Sequence, residues 1–102
     1  MYFYFAQFHP DEENPEIYTG SFPDLPGCLT YGCGLREAMT HAMEALKGYL
    51  EVEIDSGAAI PLPSDINSAK AMCELENREL DICPHDGTIY LLVPAEPHDA
   101  PE

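Results

Sequence analysis

The sequence predicts an α+β domain: a mostly antiparallel sheet in the order β-β-β-α-(short α)-β, with one long helix packed on one face. Three observations carry this. Segments 1–8, 17–22 and 28–33 are short, rich in strand-favouring residues, and separated by turns dense in proline, glycine and acids. From Leu35 the apolar period lengthens from two to steps of three and four. Near the end the chain returns to an unbroken apolar run, Thr88–Pro94.

The first strand, "MYFYFAQF", places Tyr2, Tyr4, Ala6 and Phe8 on one face and Phe3, Phe5 and Gln7 on the other. Both faces are largely apolar, so one is expected under the helix and the other against an oligomer partner. "HPDEENPE" is turn composition, and "IYTGSF" returns as the second strand of a hairpin with a long acidic tip. In "SFPDLPGC" the prolines hold φ near −65°, and Pro26–Gly27 fits the two central positions of a type II turn, the second of which needs φ > 0. "CLTYGC" is the third strand. Leu35, Ala38, Met39, Ala42, Met43, Leu46, Tyr49 and Leu50 then line one face of a helix of about five turns, and Ser56–Gly57 ends it. After the proline-locked connector "AAIPLPSD", Ser64 or Asp65 caps a second helix through "INSAKAMCELENREL". "TIYLLVP" reads as a last, central strand. One domain over 1–94 is expected, followed by a fraying acidic, proline-rich tail, 95–102.

Charge narrows the function. Nineteen acids against Arg36, Lys47, Lys70 and Arg78 give a formal net charge of −15. Four scattered cations cannot build a phosphate-binding patch, so nucleic acid and anionic membrane surfaces are disfavoured and a basic partner is favoured. No apolar run approaches the roughly 20 residues that span a bilayer. The apolar N-terminus lacks a basic leader region and a small-residue cleavage site, so the chain reads as cytoplasmic and Cys28, Cys33, Cys73 and Cys83 as reduced thiols.

Candidate chemistry is sparse. Cys28 and Cys33 have metal-ligand spacing only if they share a loop; on a strand their odd offset puts them on opposite faces. Cys73 and Cys83 are too far apart for a ligand pair, and all four are expected as small hydrophobes. His9, His41, His85 and His98 stand beside no nucleophile motif and read as solvated surface residues. A two-metal nuclease site would need Asp11, Glu12, Glu13, Asp24 and Glu37 to converge. No phosphate-cradling glycine motif or dinucleotide fingerprint is present. No catalytic residue, metal or cofactor is assigned.

The stretch "GSFPDLPGCLTYGCGLREAMTHAMEALKGYLEVEIDSGAAIPLPS" resembles the N-terminal domain of HicB-type antitoxins of bacterial toxin–antitoxin pairs. The likeness lies in the Phe22–Cys28 turn, Gly32 in the hairpin strand, Glu37–Ala38 through Leu50 of the helix, and the "G…IP.PS" segment from Gly57 to Ser64. The first strand and "IYLLVP" match in position. The resemblance implies a partial RNase H-like fold without nuclease function, and a role in neutralising a small basic HicA-like toxin, a dsRBD-type RNase that cleaves mRNA. It also implies self-association as a dimer or tetramer. Many HicB proteins continue into a DNA-binding domain; this chain ends about eight residues after its last strand, so operator binding is not carried over. The helix begins at Cys33–Gly34, where the family often has an acid or threonine cap.

Two further readings compete: a small metal-dependent nuclease, and an orphan oligomeric scaffold without a toxin. Under the antitoxin reading the partner-binding groups are Asp11, Glu12 and Glu13 at the hairpin tip, Asp24 in the turn, and Glu37 and Glu44 on the helix.

Overall fold

The computed structural model describes residues 2–79 and 88–96. Its elements are β1 (Tyr2–Pro10), β2 (Ile17–Ser21), β3 (Leu29–Cys33), α1 (Gly34–Asp55), α2 (Ile66–Glu79) and β4 (Ile89–Ala95). The sheet is antiparallel throughout, in the spatial order β3-β2-β1-β4. The α+β class and the element order are those the sequence predicts.

Period-two patterning sets the inner face. Tyr4, Ala6 and Phe8 of β1 lie under α1 with Val93 and Ala95 of β4, against Ala38, Ala42, Leu46 and Leu50 of the helix. Tyr4 pairs with Val93 and Tyr2 with Ala95, which brings both strands' apolar positions to the same side. Each fully buried leucine here contributes about 2–3 kcal/mol. Met43, expected on this face, is 42% exposed: the buried line Ala38, Ala42, Leu46, Leu50 advances in steps of four, and Met43 stands about 100° around the helix from Ala42.

The hairpin loop between β2 and β3 is built from two successive turns. Leu25 N–H donates to Phe22 C=O at 3.1 Å, and Cys28 N–H donates to Leu25 C=O at 3.0 Å. Gly27 takes φ of +88°, as the second central position of the expected turn requires. The turns drive Phe22, Leu25 and Cys28 into the core. At its other end β3 runs directly into α1. The cap residue is Cys33, without a side-chain hydrogen bond, rather than Gly34; the Gly34 N–H instead reaches Glu16 C=O at 2.6 Å. The helix stops where expected: Gly57 N–H donates to Ile54 C=O and Ala58 N–H to Glu53 C=O, a Schellman closure.

Asp65 caps α2, its carboxylate accepting the Ser68 N–H at 2.8 Å. That bond, with those from the Ser68 side chain and Asn67, lowers its pKa. Lys70 of α2 sits 5.3 Å above the ring of Tyr90, the partner of Gln7 in the ladder. The second helix therefore lies on the sheet face opposite α1, where it covers the centre and buries Gln7 to 2% exposure.

Two expectations are corrected. β4 is an edge strand, paired with β1 among the described residues; its apolar run reflects α1 on one face and α2 on the other. Ala95, expected in the tail, is the last residue of β4 and is buried, while residues 97–102 lie outside the described residues.

Candidate protein-binding surface

The acids predicted to meet a partner fall at three places. Asp11, Glu12 and Glu13 are exposed at the β1–β2 tip. There the Asp11 carboxylate accepts the N–H groups of Glu13 and Asn14, which holds the loop. Asp24 lies at the other end of the sheet. Its carboxylate accepts the Ser64 N–H at 2.8 Å and the Ser64 hydroxyl at 2.6 Å, pinning the 56–65 connector to the turn. The Tyr4 hydroxyl donates to Pro61 C=O in the same connector. Burial, then the nearby Asp24 charge, raises the Tyr4 pKa.

Glu37 and Glu44 project from α1. A spacing of seven returns nearly to the same helix face, so they begin an acidic ridge that Glu51 extends. The β2 strand holds the hairpin tip and Asp24 about 17 Å apart, so the carboxylate cluster a nuclease reading needs is not assembled. Among the described residues no group of three or more His, Cys, Asp or Glu could hold a metal.

The histidines are not simple solvated groups. His41 Nδ1 lies 2.6 Å from Tyr31 C=O. A carbonyl only accepts, so Nδ1 carries the proton, and Nε2 points toward Glu37 at 4.0 Å. His9 is half-buried, with Nδ1 2.9 Å from the Thr88 hydroxyl. His85 and His98 lie outside the described residues. Cys28 is buried and burial raises its thiol pKa to about 11; Cys73 is buried and Cys33 exposed. Cys83 lies outside the described residues.

Between the ridge and the edge strand β3 runs an apolar surface that the helical periodicity did not reveal. Leu29 and Tyr31 of β3 are 67% and 68% exposed, and Val52 of α1 is 65% exposed. A groove of about 360 Å³ opens between the Gly27 turn and the C-terminal half of α1, lined by Leu29, Ala45, Gly48, Val52 and Glu53 among others. Gly48 and Val52, one turn apart beside the acids, were its signal in the sequence. A second exposed apolar pair, Phe3 and Leu92, lies on the α2 side of the sheet beyond that helix's cover. No helix among the described residues is long and apolar enough to cross a membrane.

Comparison with known proteins bears on this surface. The chain is similar to a solved toxin–antitoxin complex from Streptococcus pneumoniae (TM-score 0.77, 27% identity, 92% of this chain and 68% of that one). Its fold is also that of the Burkholderia pseudomallei antitoxin HicB (TM-score 0.67, 23% identity, 100% and 71%) and of a chain in a HicA3 and HicB3 toxin–antitoxin complex (TM-score 0.65, 23% identity, 93% and 99%). No curated protein sequence matches it. Residues 4–90, which hold most of β1, all of β2 and β3, both helices, the ridge and the start of β4, match the family described as the HicB_like antitoxin of bacterial toxin–antitoxin systems, and to that family the chain belongs.

Proposed function

We propose that this chain binds and neutralises a small basic HicA-like toxin, an mRNA-cleaving RNase, by stoichiometric protein–protein contact in the cytoplasm. Family membership carries the reading. Charge supports it independently: a protein of net charge −15 attracts a cationic partner and speeds the encounter. The chain acts without catalysis of its own and without nucleic acid: among the described residues its acids assemble no metal-holding group, and four Lys and Arg are too few for a phosphate-binding patch. Self-association as a dimer or tetramer uses the apolar outer face of the sheet, where Phe3 and Leu92 are each 45% exposed.

The test is co-expression with whatever small basic protein the neighbouring open reading frame encodes, read by pull-down and by rescue of growth. A stoichiometric complex that restores growth is expected. Absence of a complex at micromolar concentration would sink the antitoxin role. Cleavage of RNA by the purified chain with Mg²⁺ or Mn²⁺ would replace it with the nuclease reading.

A further inference from the structure

We infer that the groove between the Pro26–Gly27 turn and the C-terminal half of α1 receives an apolar side chain carried on a lysine- or arginine-bearing segment of the toxin. The inference rests on the antitoxin reading and adds to it a place and a chemistry of contact.

Gly48 supplies the first observation. Glycine is the poorest helix former after proline, yet this one lies well inside a helix of 22 residues, exposed and far from either end. Nothing in the fold calls for it: a Cβ built at Gly48 meets no atom within 4 Å. Gly32 is the contrast, since its missing Cβ makes room for the backbone of α1. The absent side chain at 48 leaves a gap in the helix surface, walled by Val52 and Leu29. A neighbour that seats against the helix at this point explains a residue that folding does not.

Charge identifies the neighbour. Glu53 lines the groove, and Glu44 lies one turn before Gly48 on the adjacent ridge. The last turn of α1 holds no basic residue, although the negative end of a helix favours one. An acidic rim around an apolar floor suits a cation-flanked apolar anchor and repels a second copy of this acidic chain.

The test measures affinity for the basic protein that co-expression pairs with this chain, with the unfolding midpoint of each variant alone. Gly48→Ala should raise the midpoint by about 5 °C, because alanine is the better helix former. Gly48→Gln keeps a helix former and fills the gap, and should weaken binding by about 30-fold or more while the chain stays folded. Glu44→Lys should weaken binding and flatten its dependence on NaCl. Glu74→Lys, an exposed site on α2 across the sheet from the groove, should leave affinity within about twofold at moderate salt. Wild-type affinity in a folded Gly48→Gln variant would overturn the groove while leaving the antitoxin role standing. A wild-type chain that binds nothing removes both. If Gly48→Gln instead abolishes self-association and spares toxin binding, the groove belongs to a second copy and the inference is wrong.

Discussion

Replacing Gly32 with alanine should destabilise the fold more than the added methyl group would suggest. A Cβ at this position would lie 2.5 Å from the Ala38 backbone nitrogen, 2.7 Å from Ala38 Cα and 2.8 Å from the Glu37 carbonyl carbon. All three are backbone atoms, so no side chain can rotate away. Relief requires α1 to move off the sheet by roughly 1 Å, in a region as closely packed as an organic crystal. The helix start resists that movement through the Gly34–Glu16 and His41–Tyr31 hydrogen bonds. Overpacking of this kind costs about 1–3 kcal/mol. The lower backbone entropy of alanine in the unfolded chain returns about 0.5 kcal/mol. A net loss of about 2 kcal/mol corresponds to a midpoint lowered by roughly 10 °C for a domain of this size. Circular dichroism during heating, and urea unfolding with an unchanged slope, measure it. An unchanged or raised midpoint would refute the close approach of β3 to α1.

Three further outcomes follow from the same geometry. Gly27→Val should lower stability by about 2 kcal/mol while Gly27→Asn loses much less, because the turn needs φ > 0 and space around the site is open; equal midpoints would count against the turn. Asp24→Ala and Ser64→Ala should show a coupling of about 1–2 kcal/mol in a double-mutant cycle, since the two residues share two hydrogen bonds, one of them between side chains; simple additivity would disprove the clasp. At pH 8 iodoacetamide should modify Cys33 quickly and Cys28 only on unfolding. Because the folded Cys28 pKa is raised from 9 to about 11, its stabilisation is complete below pH 9 and declines as pH rises through 11, and Tyr4 shifts the same way. Rapid labelling of Cys28 in the native protein, or stability that increases above pH 9, would contradict its burial.

Much of the fold was legible because periodicity and turn chemistry are local. Alternation in "MYFYFAQF" assigned Tyr4, Ala6 and Phe8 to one face, and that face is the core. Pro26–Gly27 and Ser56–Gly57 announced a turn and a helix stop, and both close with the expected hydrogen bonds. The candidate surface was only half legible. Glu37 and Glu44 could be placed on the outer side of a helix, but the sequence assigned Leu29, Tyr31 and Val52 to no face, and their exposure is decided by their neighbours in the fold. The position of β4 illustrates the difficulty. Its apolar run suggested a central strand, and the proline that disfavours that position, Pro94, marked its end in the sequence.

What this sequence determined by itself is the set of elements, their order and the strongly acidic character of the chain. These depend on side-chain period, backbone restriction at proline and glycine, and summed charge, all of which act over a few residues or over the whole molecule. Tertiary structure alone decided which apolar residues remain outside. Burial depends on what packs across the sheet: α1 covers Tyr4 and Phe8, α2 covers Gln7, and the side chains of Leu29, Tyr31 and Val52 stay largely outside both contacts. The same packing separated Asp24 from the hairpin acids and set the Gly27 turn beside Gly48, because strand length and helix placement are set by contacts between residues distant in the chain.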